Sequence, residues 1–375
     1  MSDLDGITVV ALEQAVAAPY VSGRLAEEGA RVIKIERKEG DFARHYDDFV
    51  EGHSAYFVWL NAGKESITLD LREVEDALLF GKLLAKADVF IQNLAPGALT
   101  RLGFDPKQLR KDLPHLIICS ISGYGEEGPY RNQKAYDLLI QAETGLCSVT
   151  GIGEELTRVG VSVSDISAGM TAYQEILRAL FARQRDPSRN GRLIDVSLFH
   201  STADWMNVPY LQHHYGNFTP QNNGLKHPSI VPYGAFTCGD NKKILFSIQN
   251  EREWVDLCRD VLGDQTLAKN EKYRNNTQRL AHRDELESLI ESVFSSYTRE
   301  QVITRLQDAN IAFGRVSDLN DLANHPQNRY REITTTSGVI KVLGRGAHIE
   351  GTVKAPLRLP TVGQDNEKIR EEFGK

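Results

Sequence analysis

The chain of 375 residues is poor in cysteine and has no long apolar run. Its four cysteines stand far apart with no CxxC pair, so no disulfide framework is predicted and we expect reduced thiols. No stretch approaches the roughly 18 apolar residues that a membrane-spanning helix needs, so no membrane partner is expected. Residues 1–5 are acidic where a secretory signal is basic, which predicts a cytoplasmic protein.

The chain also lacks positive charge in excess. Its formal net charge is −7, and this argues against a nucleic-acid partner, because neutralising phosphates requires a basic face. At 41% hydrophobic and 25% charged residues, the chain can bury a proper core and stay soluble, which excludes a disordered or collagen-like protein. Its length predicts two domains.

Several common cofactor and catalytic motifs are missing. There is no GxxxxGK[ST], GxSxG, HExxH or EF-hand loop, so neither ATP, a serine-hydrolase elbow nor a metal is predicted. A literal GxGxxG occurs at Gly123, Gly125 and Gly128, but it does not follow the first strand and two glutamates interrupt it. A tight loop is therefore the better interpretation, and no NAD is predicted.

The first half of the chain alternates strand-like and helix-like segments, which is typical of βαβ units and a parallel sheet. The pattern predicts an α/β fold built on a parallel sheet. The predicted strands are 7–12, 31–36, 66–71, 88–93, 116–121, 159–163 and, as strand or helix, 193–199; helices are predicted at 17–28, 73–86, 106–113 and 167–185.

After about residue 200 the pattern changes. Prolines, histidines and asparagines predict an irregular linker over 200–220. An antiparallel pair at 233–238 and 243–249, followed by helices at 253–262, 283–297 and 299–309, predicts a smaller α+β domain over 221–326.

Asp165 is the carboxylate that stands out, because it lies where a predicted strand meets a predicted helix. One interpretation is a helix cap, since Asp supplies the oxygen that the first helical N–H groups need. The other is a nucleophile, which at its ordinary pKa near 3.9 is ionised at pH 7 without a general base. The small residues 167–169 would then let an acyl substrate approach, and backbone N–H groups would stabilise an oxyanion. The residues alone leave both open.

Basic side chains follow the predicted strands at loop positions. Each of these side chains, taken alone, is explained as a solvated surface charge. At the carboxyl ends of parallel strands they would together suit a phosphate-bearing ligand. They are Arg37, Arg72, Arg101 and Lys134.

Longer stretches of the chain resemble the class III CoA-transferases, the family of carnitine and formyl-CoA transferases that includes alpha-methylacyl-CoA racemase. The resemblance covers essentially the whole chain. It rests on the segments 32–37, 40–41, 61–71, 93–98, 123–130, 134–137, 165–183, 232–236 and 325–327.

The resemblance implies that Asp165 is the nucleophile of a CoA transfer without ATP, passing through an acyl-aspartyl anhydride and an aspartyl-CoA thioester. It also implies an interlocked homodimer whose Rossmann-like large domain, residues 1–199, is completed by a C-terminal return over 327–375. The CoA contacts that it implies are Val16, Ala17, Arg37, Leu69, Asp70, Leu71, Arg72, Asn93, Leu94, Ala95, Arg101 and Lys134.

Two departures from the family pattern bear on the reaction. The racemases carry a histidine where this chain has Tyr136, and racemisation needs two acid/base groups; a racemase is therefore the disfavoured alternative, and a non-catalytic CoA-binding dimer is a further one. The segment matching the glycine-run loop of formyl-CoA transferase, 223–229, has one glycine, which argues against an oxalate-type specificity.

The segments 13–19, 40–44 and 227–230 resemble the subgroup that acts on short dicarboxylic acids, with mesaconyl-, itaconyl-, citramalyl- and succinyl-CoA as candidates. A second carboxylate calls for a cation, and a bidentate arginine fits best. A surface charge explains Arg44 equally well. The substrate candidates are Arg44, His45, Tyr136, Asp137 and His227.

Overall fold

The computed structural model describes residues 2–220, 222–347, 349–350 and 357–374. The chain divides into two compact units. The first contains Met1–Cys147, Arg158–Leu211 and Arg329–Lys375; the second contains Ser148–Thr157 and Gln212–Asn328. Residues 148–157, which lie within the range expected for the large domain, thus cluster with the second unit. Among the described helices, none is long and apolar enough to cross a membrane.

A parallel sheet of six strands forms the centre of the first unit, as the alternating pattern predicted. The strand order is β3-β2-β1-β4-β5-β8, with each neighbouring pair parallel. The strands are β1 (Thr8–Leu12), β2 (Arg31–Glu36), β3 (Glu65–Thr68), β4 (Val89–Gln92), β5 (Ile117–Ser122) and β8 (Leu193–Ser197).

Helices cover both faces of this sheet, because successive strand residues point to opposite sides. Val9 and Ala11 of β1 pack in one core with the first and seventh helices, whereas Val10 packs in another with the third and the last. The helices of this unit are α1 (Ala17–Glu27), α2 (Ala55–Asn61), α3 (Val74–Lys86), α4 (Ala98–Arg101), α5 (Pro106–Asp112), α6 (Asp137–Glu143), α7 (Val163–Arg185), α8 (Leu198–Trp205) and α15 (Asn366–Phe373).

The end of the chain joins the edge of the parallel sheet. Asn366 accepts a hydrogen bond from the Thr68 backbone N–H at 2.8 Å, and Ile369 and Phe373 of α15 are buried in the core beside α3. A small sheet of β12 (Tyr330–Thr335), β13 (Gly338–Leu343) and β14 (Leu357–Arg358) precedes this helix. Residues from both ends of the chain therefore build the first unit.

The second unit has its own core around an antiparallel sheet. The predicted hairpin is confirmed: β9 (Tyr233–Thr237) pairs with β10 (Lys243–Ser247), which also pairs with β11 (Phe313–Arg315). The remaining strands and helices of this unit are β6 (Gly151–Ile152), β7 (Glu155–Leu156), α10 (Glu251–Asp256), α11 (Asn276–Ala281), α12 (Arg283–Phe294), α13 (Arg299–Asp308) and α14 (Leu319–Ala323).

Two sequence predictions about local structure are wrong. Residues 159–163 are not a strand; Val163 begins α7, four residues earlier than predicted. Residues 200–220 are not irregular, because α8 and α9 (Asn207–Gly216) cover most of them. Pro209 is compatible with α9, since a proline is tolerated in a first helical turn.

Candidate active site

Asp165 is the third residue of α7 and lies in its first turn. Ser162 occupies the cap position, so Asp165 is not the cap. Within the described residues, no hydrogen bond or ion pair engages its carboxylate. The cap interpretation is therefore wrong, and the side chain is available for chemistry.

Burial and the neighbouring carboxylate of Asp137 raise the pKa of Asp165 to about 7. The expectation that Asp165 is fully ionised at neutral pH is therefore wrong. At pH 7 about half of the molecules carry the ionised, nucleophilic form, as the definition of a pKa requires.

Asp137 holds the segment that leads into Asp165. Its carboxylate accepts hydrogen bonds from the Ser164 N–H at 2.7 Å and from Gln141 Nε2 at 2.7 Å. Gln141 in turn accepts a hydrogen bond from the Val159 N–H at 2.9 Å. Asp137, which the sequence analysis assigned to the substrate, thus anchors the start of α7.

Several tyrosines lie close to the start of α7. Tyr56 and Ser162 share a hydrogen bond of 3.0 Å between their hydroxyls, and the ring centroids of Tyr46 and Tyr56 lie 5.6 Å apart. Burial and the negative charges of Asp41 and Asp165 raise the pKa of Tyr46 to about 12, so its hydroxyl stays protonated. Tyr136 is largely exposed beside this group.

The small residues after Asp165 serve helix packing and do not open a path for substrate. The Ser167 hydroxyl donates to the Ser201 carbonyl at 2.9 Å, and Ala168 is fully buried. A Cβ at Gly169 would lie 3.1 Å from the Ala17 carbonyl and 2.8 Å from the Tyr20 ring. Gly169 therefore lets α1 and α7 approach closely.

A cavity of about 280 Å³ opens at the carboxyl ends of β1, β2 and β4. This is where the strand order reverses from β1 to β4, the usual place for a ligand in such sheets. Arg37, Leu69, Leu94 and His45 line it, so the structure brings together predicted CoA and substrate residues. Phe42 also lines it, with its ring 5.6 Å from that of Tyr46.

A larger cavity of about 810 Å³ lies along the same edge of the sheet. Leu94 borders both cavities, and Ala95 borders the larger one. Arg101 and Lys134 are exposed, with Arg101 next to Thr100 at this rim.

Several predicted CoA residues have roles within the fold. Val16 and Ala17 are buried where α1 begins, and Leu71 is buried in the core. Asn93 holds the Gln14 backbone from both sides, accepting from its N–H at 3.0 Å and donating to its carbonyl at 2.8 Å. Asp70 and Arg72 form a largely exposed ion pair of 2.6 Å.

Arg44 is engaged inside the protein. Its guanidinium makes a bidentate pair with Glu36 at 2.9 and 2.7 Å, donates to the Pro360 carbonyl and stacks on the Phe57 ring. Burial opposes the charge of Glu36, but Arg44 and Lys34 lower its pKa to about 2. This geometry does not support Arg44 as the ligand of a substrate carboxylate.

His227 belongs to the second unit and stacks on Tyr233 with 5.1 Å between ring centroids. Its Nδ1 accepts from the Ser229 and Ile230 N–H groups, and burial with the charge of Arg283 lowers its pKa. His227 is therefore neutral at pH 7 and does not supply the cation that the sequence analysis assigned to it.

The sequence analysis did not identify a group of buried charged side chains next to the smaller cavity. Lys34 and Lys64 have no exposed side-chain surface, and both contact Glu13, at 3.4 and 2.7 Å. Burial and the charge of Lys34 lower the pKa of Lys64 to about 8. Burial opposes the ionisation of Glu13, but the two lysines more than offset it and lower its pKa. The sequence signal was charge within or next to otherwise apolar strands.

Comparison with known proteins matches residues 4–366 to the model of CoA-transferase family III. Acetyl-CoA:oxalate CoA-transferase of Acetobacter aceti is 33% identical over 98% of this chain and 95% of its own length. Succinyl-CoA:mesaconate CoA-transferase of Haloarcula hispanica is 28% identical over 100% of this chain and 97% of its own length. The crystal structure of a CaiB/BaiF family protein from Brucella suis superposes with a TM-score of 0.83 at 30% identity, covering 99% of both chains.

Proposed function

The chain belongs to CoA-transferase family III, and from this premise we propose that it moves CoA from an acyl-CoA donor to a short dicarboxylic acid through Asp165. The observation that carries the proposal is the Asp165 carboxylate, half-buried in the first turn of α7 with no hydrogen bond or ion pair among the described residues. A nucleophile must keep its lone pairs free, and this carboxylate does.

The proposed reaction balances without ATP. An Asp165 oxygen attacks the thioester carbonyl and the C–S bond breaks. CoA leaves as a thiolate, and the acyl group stays on Asp165 as a mixed anhydride. The thiolate then attacks the Asp165 carbonyl, which releases the donor acid and leaves an aspartyl-CoA thioester. The acceptor carboxylate repeats these two steps in reverse order, and Asp165 is regenerated.

The cavities and their cations support the placement of CoA. The smaller cavity is too small for the whole CoA molecule, but it shares Leu94 with the larger one along the same edge. We assign Arg37, exposed at this rim, to a CoA phosphate. We assign the protonated hydroxyl of Tyr46, whose pKa is raised in part by the charge of Asp165, as a donor to an oxygen at the acyl centre.

A short dicarboxylic acid is proposed as acceptor because the relatives above carry oxalate and mesaconate in their names. Since Arg44 and His227 are engaged elsewhere, His45 at the smaller cavity is our nominee for the second carboxylate. Mesaconate and itaconate are the acids we would test first, with succinyl-CoA as donor.

The decisive experiment incubates the protein with succinyl-CoA or acetyl-CoA and a panel of oxalate, glutarate, mesaconate and itaconate, and separates the CoA esters by chromatography. We expect a new CoA ester and a hydroxylamine-sensitive adduct on Asp165. Asp165→Asn abolishes both, whereas Asp186→Asn, at the other end of α7, keeps them.

Transfer that survives Asp165→Asn contradicts the mechanism. Exchange of the α-proton for deuterium without transfer points instead to a racemase, and acyl-CoA binding without either reaction points to a CoA-binding dimer.

We also propose that the protein is a homodimer. Large apolar side chains stand at least half-exposed along α8 and α9, which a partner surface would cover. They are Trp205, Val208, Tyr210, Leu211 and Tyr215. Light scattering after gel filtration should give about twice the chain mass of 42.0 kDa; a single-chain mass contradicts the proposal.

A further inference from the structure

Two turns contribute residues to the lining of the smaller cavity. One is the Gln14–Ala15 turn after β1, and the other is the short helical turn Phe42–His45 after β2. Ala15 has a φ of 65°, a left-handed conformation that a residue with a side chain rarely adopts. Such a conformation persists only where surrounding contacts hold it.

Asp41 contacts both turns at once. Its Oδ1 accepts hydrogen bonds from the Ala15 N–H at 3.1 Å and from the Ala43 N–H at 2.9 Å. The Ala43 bond caps the turn that carries His45 and leads into Tyr46. The Ala15 bond holds the strained turn, whose preceding residue, Gln14, is held by Asn93.

The charge of Asp41 is matched by a fully buried lysine. Lys34 Nζ donates to Asp41 Oδ2 at 2.9 Å, and the Asp41 N–H donates to Glu36 at 2.9 Å. A buried carboxylate that accepts charge-assisted hydrogen bonds is rigidly oriented, so the two turns are fixed relative to each other.

We infer that Asp41 is a positioning residue of the active site: paired with Lys34, it clamps the Ala15 and Phe42–His45 turns and so sets the width of the acyl-CoA cavity. The inference rests on the proposed function, because it assigns that cavity to the acyl-CoA. Asp41 acts through the Ala15 and Ala43 backbones and does not itself take part in the transfer.

The test compares steady-state kinetics of Asp41→Asn with wild type. In this variant the single amide oxygen can accept either from Lys34 or from the Ala15 and Ala43 N–H groups, so one side of the clamp is lost at constant volume. We expect the KM for acyl-CoA to rise about tenfold or more with kcat within about threefold, because misplacement of binding groups by 1 Å costs up to about a hundredfold. Adding Lys34→Met removes the cation that competes for the amide oxygen, so this oxygen can accept from both backbone N–H groups. This double variant should return the KM to within about threefold of wild type.

The matched control is Asp88→Asn, because Asp88 also accepts from a backbone N–H, that of Thr8, and pairs with an arginine, Arg183. It lies at the other end of the sheet, before β4. We expect it to lower the melting temperature while leaving the KM unchanged.

An unchanged KM in Asp41→Asn, or an equal rise in Asp88→Asn, overturns the inference. If Asp41→Asn fails to fold, hydrogen exchange of the wild type decides: acyl-CoA should slow exchange of the Ala15 and Ala43 amides, and unchanged exchange there overturns it. A wild-type protein that transfers no CoA defeats the proposed function instead, so the two failures are distinguishable.

Discussion

At the scale of single residues, burial decides what Asp165 can do. The same burial that frees its carboxylate from competing hydrogen bonds also raises its pKa to about 7. Sequence alone could identify this aspartate through the family resemblance, but it could not supply the pKa, because the burial of Asp165 and its closeness to the charge of Asp137 arise only in the folded chain. The same reason explains Arg44: a cation in a loop is recognisable, whereas its partner Glu36 is not.

The first prediction concerns the pH dependence of adduct formation. Only ionised Asp165 attacks, so the single-turnover rate with acyl-CoA and no acceptor should rise with pH and reach half its maximum near pH 7, not near 4. Asp137→Asn removes a negative neighbour and should move the midpoint to lower pH. Quench-flow measurement between pH 5 and 9 checks this, and a flat profile contradicts it.

The second prediction links catalysis to stability. Asp165 has a higher pKa in the folded protein than in the unfolded chain. The free energy of unfolding therefore falls as pH rises from about 4 to 7, and the loss is complete above 7. Asp165→Asn removes this penalty, so it should raise the free energy of unfolding at pH 8 by on the order of 2 kcal/mol. The gain should vanish near pH 4. Urea unfolding at both pH values measures it, with Asp186→Asn as the control.

At the scale of elements, the chain pattern predicted the strands of the parallel sheet, with 193–199 left as strand or helix, but it missed α2, α4, α6 and α8 and did not predict the position of α15. The alternation of apolar and charged residues in α15 is a local signal. The docking of α15 against β3 depends instead on Asn366 and Thr68, which are about 300 positions apart in the chain. The start of α7 was misplaced for a related reason: Gln141 and Asp137, from another helix, hold residues 159–164 and so determine where helical structure begins.

The third prediction tests whether α15 belongs to the core of the first unit. Phe373 is buried, and Arg31 and Lys86 lie over its ring at 5.7 and 5.2 Å. Phe373→Ala should lower the free energy of unfolding by about 3 kcal/mol or more, as expected for a large core truncation. Lys368→Ala, an exposed change on the same helix, should cost less than about 1 kcal/mol. Equal effects in urea unfolding would falsify the assignment.

At the scale of the whole molecule, the two units have separate cores. Phe246, Phe236 and Phe294 pack together in the second unit, with ring centroids 4.9 to 6.2 Å apart. The cores of the first unit are built from other residues, including Leu83. Length predicted two domains, but that the second unit also takes in residues 148–157 was not visible in the sequence, because the isolated pairing of Ile152 with Asn223 spans about 70 residues.

The last prediction follows from these separate cores, since domains with their own cores need not unfold in one transition. Phe246→Ala should lower the midpoint of urea unfolding reported by Trp254, a buried residue of the second core, by an amount corresponding to about 3 to 5 kcal/mol. The midpoint reported by Trp59 in the first unit should move less than a third as much. Variants that retain a single tryptophan separate the two signals. Leu83→Ala is the matched control, and it should produce the reverse pattern. Midpoints that move together in both variants would contradict the prediction, because they would show that both units unfold in one cooperative transition.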